Sequence, residues 1–271
     1  MPDPSFVLPL LLQSVLIPAA VCAALLLLLA RVRSDWSAPL AIAGGFLASM
    51  AATYHAQWSF PPHQALDWMP LVTLAALSAI AVERRGMPAG RLLASAVTAA
   101  IVAWPAMGSA GLGKTLITIA AMALLMTVAW SVLAASSRRP AAPFALTLAA
   151  GGAGLALMID ASQLIGQLCG GLGVAIGVCG LLRPPSAGGF GPAAAGTGTL
   201  LVGAMLGYAY IYAGFSMPML LLLVAALLAD ALLGALRRRP AAFLPGALLT
   251  VLPVLAAVGL AVKAMQDAGG Y

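Results

Sequence analysis

Residues 53–70, TYHAQWSFPPHQALDWMP, hold both histidines of the chain, His55 and His63, together with Asp67 and two of its five tryptophans. The stretch separates two strongly apolar segments. Its Phe60-Pro61-Pro62 run excludes a helix and favours an extended turn. We therefore expect an ordered hairpin that caps the outer face of a many-helix membrane protein.

The composition indicates that most of the surface faces lipid. The chain of 271 residues is 63% hydrophobic and 7% charged, with a mean hydropathy of +1.06, whereas about 25% of residues are charged in soluble domains. In hydrocarbon every backbone polar group needs an internal partner, which leaves helices or closed barrels. The apolar runs are long, continuous and rich in Leu and Ala, which favours helices. The sequence predicts an all-α, polytopic membrane protein.

About ten transmembrane helices follow from a requirement of roughly 17–25 apolar residues for each. The predicted spans are residues 6–30 (containing Pro9 and Pro18), 38–58, 66–82, 91–107, 115–135, two within 143–182 divided at 160–162, 195–213, 217–236 and 243–262. They form a single integral membrane domain, residues 1–271, with possible halves at 1–137 and 138–271. Because each half has an odd number of spans, the halves would be inverted, as in many secondary transporters.

Basic residues fall on alternate connections between the predicted spans. One set of connections carries Arg31, Arg33, Arg84, Arg85, Arg91, Arg138, Arg139, Arg183, Arg237, Arg238 and Arg239, and the other carries only Lys114 and Lys263. Connections rich in Lys and Arg stay in the cytoplasm. We therefore expect both termini on the non-cytoplasmic side of an inner or plasma membrane. Because these arginines are spread over several connections, we expect no nucleic-acid partner.

The hairpin offers an outer-face cluster of His55, His63, Asp67, Trp58 and Trp68. Two imidazoles and a carboxylate could hold a metal or act as acid and base, and a four-residue spacing would place His63 and Asp67 on one helical face. The simpler interpretation is that the histidines form local hydrogen bonds and the tryptophans belong to an interfacial belt. No HExxH-like spacing is present, so we expect no metal and no cofactor.

Two rows of small residues predict close helix packing. The first is Gly166, Gly170, Gly173, Gly177 and Gly180 on the seventh span, and the second is Gly196, Gly203, Gly207 and Gly214 on the eighth. Glycines at such spacings let two backbones approach when lipid removes the hydrophobic drive for association.

A few polar residues in or near the spans are candidates for a transport path. Gln163 and Gln167 lie near the outer end of the seventh span, close to Asp160, and could line a polar pocket. Asp230 lies inside the ninth span, where an ionisable group costs roughly 2.5–3.5 kcal/mol. It either pairs with Arg237 or serves a proton or a substrate.

Residues 108–115, GSAGLGKT, fit the phosphate-loop pattern G-x-x-x-x-G-K-[ST]. That pattern binds phosphate when a strand precedes it and a helix follows. Here a membrane helix is predicted to precede Gly108, and Thr115 opens the next span. We interpret the match as a glycine-rich turn and expect no nucleotide.

Three functions remain open. The first is a small-solute transporter or permease with a polar path near the outer leaflet. The second is a non-catalytic accessory subunit of a membrane complex, with other subunits or a second copy as partners besides the lipid bilayer. The third is an intramembrane enzyme that uses His55, His63 and Asp67. A transporter is favoured because ten spans with short connections leave little structure outside the membrane.

Overall fold

A computed structural model describes residues 4–29, 34–137, 139–183, 189–237, 243–267 and 269, with side chains for residues 8–29, 35–137, 139–183, 189–229, 247–267 and 269. All regular structure within these ranges is helical, which confirms the predicted fold class. The first five helices are α1 (Pro4–Leu11, a π-helical turn Leu12–Leu16, and Ile17–Leu29), α2 (Ser34–Tyr54), α3 (a 3-10 turn Ala65–Trp68, then Met69–Arg85), α4 (Pro88–Ala103, a 3-10 turn Trp104–Ala106, then Met107–Ala110) and α5 (Leu112–Ala135). The others are α6 (Ala141–Asp160), α7 (Gln163–Leu182), α8 (Pro192–Tyr212), α9 (Met217–Arg237) and α10 (Phe243–Asp267).

Nine of these helices, over the described residues, are long and apolar enough to cross a membrane. The remaining predicted span, the ninth, corresponds to α9, whose described side chains cover only the shorter apolar stretch Met217–Ala229. The chain is therefore a multi-pass helical membrane protein. The predicted break at residues 160–162 is confirmed, because α6 ends at Asp160 and the Ser162 hydroxyl caps α7 by accepting from the Ile165 amide at 3.4 Å.

One predicted boundary was wrong. The second span was expected to reach residue 58, but α2 ends at Tyr54, and the hairpin begins there. In the fourth span the α-helical geometry stops at Ala103, and the chain passes through a 3-10 turn at Trp104–Ala106 before a short helix that ends at Ala110. A proline in the first turn of a new helical segment loses no hydrogen bond, so it does not stop the chain there.

Helix α8 is the centre of the bundle. In its most apolar stretch 83% of the residues are buried, against 22% for α1. It contacts each of the helices from α2 to α7, and α9. Because a helix that is apolar all round must be enclosed by others, α8 fixes the positions of helices from both halves of the chain.

The first glycine row packs against α6, and α6 and α7 form the most extensive helix pair. A Cβ atom added to Gly154 of α6 would lie 2.9 Å from the Gly166 carbonyl oxygen and 3.0 Å from the Gly170 nitrogen. Further along, a Cβ on Gly173 would lie 3.1 Å from the Gly151 nitrogen. Farther still, Gly177 faces Thr147 and Gly180 faces Pro143. The two backbones are thus in direct contact along much of their length.

The second glycine row packs against α5. Gly196 lies against the Trp130 ring, Gly203 against Met126 and Gly207 against Met122, so each glycine accommodates a large side chain. Gly214 does not belong to this row, contrary to the sequence-based expectation. It follows the end of α8 with φ +70° and has open space around it. A positive φ favours glycine, which explains its presence in this turn.

One end of the bundle, which we call the arginine end, brings several basic residues together. The Arg84 guanidinium lies 5.6 Å from the centre of the Trp36 ring, and Arg183 Nη1 donates to Ser37 Oγ at 3.0 Å. Arg91 pairs with Glu83 through two hydrogen bonds of 2.8 and 3.1 Å. Arg31, Arg33, Arg138, Arg238, Arg239 and the side chain of Arg237 lie outside the described residues.

The opposite end, which we call the hairpin end, holds residues 55–68. The Tyr208 hydroxyl of α8 donates to the Ala65 carbonyl at 2.9 Å. The Tyr212 hydroxyl donates to the Val102 carbonyl of α4, also at 2.9 Å. These bonds tie the hairpin and α4 to the central helix.

The contact between α6 and α7 can be tested with two alanine substitutions on one helix. Gly154→Ala should lower the free energy of unfolding by about 1–3 kcal/mol, because its Cβ meets backbone that cannot move aside. Gly151→Ala, whose Cβ has open space, should be neutral or stabilising by up to about 1 kcal/mol. Thermal unfolding of the two purified variants in detergent measures this. Equal stability of both variants would show that the backbones are not in contact.

Candidate functional site

Asp67 is the centre of the hairpin. Its side chain is 3% exposed and accepts five hydrogen bonds: from the Tyr54 hydroxyl (2.9 Å), the Ser59 amide (3.3 Å) and hydroxyl (2.8 Å), and the His63 (2.9 Å) and Gln64 (2.8 Å) amides. Two carboxylate oxygens offer about four lone-pair sites. The acceptor capacity of Asp67 is therefore filled by the hairpin itself, and the carboxylate holds the loop in shape.

The structure does not bring the two imidazoles onto Asp67. His55 and His63 are both exposed, and His63 Nδ1 lies next to the Pro61 carbonyl and 3.3 Å from Ser59 Oγ. The expectation that His63 and Asp67 share a helical face is wrong, because the helical turn begins only at Ala65. His63 reaches Asp67 through its backbone amide instead. No group of three His, Cys, Asp or Glu side chains in the described part of the chain could hold a metal.

The two tryptophans of the hairpin frame this network. Trp58 is 46% exposed, and its Nε1 donates to the Asp67 carbonyl at 3.4 Å. Trp68 is half-buried at the start of α3. An indole with one polar contact and one apolar face suits the boundary between water and lipid. The positions of Trp58 and Trp68 are those expected for the aromatic belt at a membrane–water interface.

The polar candidates of the predicted path differ in exposure. Asp160 and Gln163 are exposed at the connection between α6 and α7, whereas Gln167, one turn along α7, is only 9% exposed. The Gln167 amide makes no hydrogen bond to any residue that the structure describes. The side chain of Asp230 lies outside the described residues.

A break in α1 was not predicted from the sequence; the broken segment contacts α7, the helix that carries Gln167. At Leu12–Leu16 the helix widens into a π-helical turn, in which the Ile17 amide donates to the Leu12 carbonyl five residues back. The next residue, Pro18, has no N–H to continue this pattern. The Gln13 carbonyl receives its hydrogen bond from the Ser49 hydroxyl of α2 instead, at 3.1 Å.

Small residues let α1, α2 and α7 converge on this turn. A Cβ on Gly45 of α2 would lie 2.9 Å from the Pro18 carbonyl oxygen, and a Cβ on Gly171 of α7 would overlap the Ser49 hydroxyl. Ser14 is buried beside Gly170, and its hydroxyl donates to the Leu10 carbonyl. The interior at this point is formed by backbone, hydroxyl and amide groups.

We call Gln13, Ser14, Ser49 and Gln167 the π-turn cluster. Ser49 lies five residues before the end of α2 and Gln167 four residues after the start of α7. At 1.5 Å per residue, both lie about 6–8 Å below the hairpin end. Irregular backbone at such a depth occurs only where it is enclosed by protein or lines a polar cavity. Proline inside the first span is the sequence signal for this break.

The Gly108–Thr115 segment forms a turn between two helices. Met107–Ala110 is helical, Gly111 adopts φ +80° and α5 starts at Leu112. The Thr115 hydroxyl donates back to the Gly111 carbonyl at 2.9 Å. The strand that a phosphate-binding loop requires before it is replaced here by helix. The lack of a nucleotide partner stays a prediction.

No protein-family model, curated protein or solved structure matches this chain. The candidate site therefore rests on three of its own features: the π-helical turn of α1, the Ser49 hydroxyl that satisfies it, and the largely buried residue Gln167.

The role of Asp67 can be tested by replacing one of its oxygens with a donor. Asp67→Asn leaves at least one hairpin donor without an acceptor, which should cost about 1.5–3 kcal/mol. Hydrogen exchange should accelerate at the Ser59, His63 and Gln64 amides. Asp160→Asn, at an exposed acid of the same end, should change neither stability nor exchange. Unchanged exchange in Asp67→Asn would show that the carboxylate does not hold the hairpin.

Proposed function

We propose that the protein is a small-solute transporter of the cell membrane, with a substrate path that passes the π-turn cluster near the outer leaflet. The observation that carries this proposal is Gln167, a residue that is nine-tenths buried on a helix packed against the broken turn of α1, and whose amide has no hydrogen-bond partner among the described residues. Transporters commonly build substrate sites from discontinuous helices, because the interrupted backbone exposes polar groups within the membrane.

The chemistry of the cluster favours a neutral polar solute. The Ser14 and Ser49 hydroxyls already donate to backbone carbonyls and keep their acceptor capacity, while the Gln167 amide offers both a donor and an acceptor, and none of these groups is charged. Burying an ion would require a compensating charge, and the cluster contains none. An uncharged solute with several hydrogen-bonding groups fits these residues best.

Part of the helix pairing is consistent with two inverted halves of five, although the extensive contact of α6 with α10 has no comparable counterpart between the described parts of α1 and α5. Helices α1 and α2 pack together as α6 and α7 do, and α4 packs on α5 as α9 packs on α10. Across the halves, α2 contacts α7 and α3 contacts α8, so equivalent helices meet at the centre. An internal pseudo-symmetry of this kind places transporter sites at the interface between the halves. The π-turn cluster combines residues of α1, α2 and α7 and therefore lies at that interface.

The arrangement of charge supports an orientation with the arginine end in the cytoplasm. Arg84, Arg91 and Arg183 come from three different helices and lie at the same end of the bundle. The hairpin end has Asp67 and Asp160 and the interfacial aromatic rings. By the positive-inside rule the hairpin end faces outwards.

The other two functions are less well supported. An accessory subunit would use its glycine rows as docking surfaces, but these rows are occupied by α5 and α6 of the same chain. An enzyme built on the histidines would need the Asp67 carboxylate, whose acceptor sites are filled by hairpin donors.

The orientation is tested by single cysteines at exposed positions of the two ends. The native cysteines are buried and should stay unlabelled. In intact cells, a membrane-impermeant maleimide should label Gln57→Cys of the hairpin and not Arg139→Cys of the α5–α6 connection. Both should label after the cells are opened. Labelling of Arg139→Cys in intact cells would reverse the proposed orientation.

Access of water to the π-turn cluster tests the transport proposal before a substrate is known. Gln167→Cys should react with a small membrane-impermeant methanethiosulfonate added from the hairpin side, because a transport path must admit solute there. Leu168→Cys, at a neighbouring position that is fully buried in the apolar core, should react at least tenfold more slowly. Equal protection of both cysteines would show that no aqueous path reaches Gln167.

A further inference from the structure

A groove of about 630 Å³ lies between α2 and α3 at the arginine end. Its apolar lining is Leu40 of α2 and Leu77, Ile80 and Ala81 of α3. The volume is within the range of about 300–1,000 Å³ that small-molecule sites occupy. The groove is separate from the π-turn cluster, which lies near the hairpin end of the bundle.

Two arginines and a tryptophan line the same groove. The Arg84 guanidinium lies over the Trp36 ring at 5.6 Å, and its Nε is 4.0 Å from Asp35 Oδ2. Both side chains of that ion pair are at least half exposed, so the pair is weak and leaves Arg84 able to bind another anion. Arg85 is exposed and has no acidic partner within the described ranges.

The nearby acid Glu83 does not neutralise these arginines. Both of its oxygens bind Arg91, at 2.8 and 3.1 Å, and its side chain is only 12% exposed. A carboxylate that accepts two hydrogen bonds from one guanidinium is already compensated. The groove therefore keeps a positive charge from Arg84 and Arg85.

An apolar stripe leads from the groove along α3 into the hydrocarbon. Leu74, Leu77, Ala81 and Arg84 follow one another at intervals of three, four and three residues, which places them on one helical face. Leu74 is 64% exposed, so the stripe is open to lipid. An amphipathic molecule lying along this face would place its charged head against the arginines of the groove and its apolar tail against the apolar stripe.

We propose that this groove binds an anionic phospholipid of the cytoplasmic leaflet, with the phosphate on Arg84 and Arg85 and one acyl chain along Leu77 and Ala81. Guanidinium groups bind phosphate oxygens in pairs, which an ammonium cannot do. Basic pockets between transmembrane helices on the cytoplasmic side recognise anionic headgroups in this way. Trp36 at the same level suits the headgroup boundary. The proposal does not depend on the transport activity.

The test is lipid binding to the purified full-length chain. Delipidated protein in mild detergent is titrated with phosphatidylglycerol, or with phosphatidylcholine of the same acyl chains, and bound lipid is counted by native mass spectrometry. The wild type should bind phosphatidylglycerol more tightly. The double variant Arg84→Gln with Arg85→Gln should weaken phosphatidylglycerol binding by about 25-fold, because each basic residue contributes about fivefold, or about 1 kcal/mol. Its affinity for phosphatidylcholine should hardly change.

Two further variants separate charge from fold. Arg139→Gln removes an exposed arginine of the same end outside the groove and should leave phosphatidylglycerol affinity unchanged. Ala81→Trp fills the apolar part of the groove without changing its charge and should weaken the binding of both lipids. This variant tests the lipid site if the double arginine variant does not fold. The proposal is overturned if the wild type does not distinguish the two lipids, or if the double variant or Ala81→Trp binds phosphatidylglycerol as the wild type does.

Discussion

In a lipid environment each backbone carbonyl needs a donor from within the protein, and the architecture of this chain follows from how that need is met. Along most of the helices this donor is a backbone N–H of the same helix. Pro18 has no N–H to donate, and α1 widens just before it into a π-helical turn. The free carbonyl of this turn, that of Gln13, accepts from the Ser49 hydroxyl of α2 instead. The hydroxyl can reach that carbonyl because Gly45 and Gly171 remove the side chains that would hold the three helices apart. The missing N–H of Pro18 thus explains why α1 and α2 meet the sequence-distant helix α7 at a junction of small residues.

The same requirement explains the hairpin. Pro61 and Pro62 prevent helix between α2 and α3, so several amides of residues 59–64 have no helical acceptor. Asp67 accepts from three of them and from two hydroxyl groups. Because the hairpin is also bound to α8 through Tyr208, the hairpin end of the molecule is a fixed cap that depends on one carboxylate.

Much of the fold could be predicted from the sequence, because the information was local. Long apolar runs predicted the helices, Asp160-Ala161-Ser162 predicted the break between α6 and α7, and glycine spacing predicted their contact surface. The candidate site was less accessible because it depends on distant partners. Ser49 gives no local sign that it donates to Gln13. Gln167 was a candidate from the sequence because it is an amide within an apolar span, but the packing of that span, α7, on the turn of α1 depends on the tertiary structure. The helical face predicted for His63 and Asp67 was wrong because the prolines keep residue 63 extended, so that its amide and not its ring turns to the carboxylate.

The widened turn also divides α1 into two parts that are held very differently. The part after the turn is fixed where Cys22 donates to the Ala175 carbonyl and Pro18 touches Gly45. The part up to the start of the turn leaves about half or more of Leu8, Leu11 and Leu12 exposed, so few packed side chains hold it in place. Widened turns also place bends in helices. The residues before Ser14 are therefore joined to the rest of the bundle mainly through the π-helical turn, which itself packs against α2 and α7.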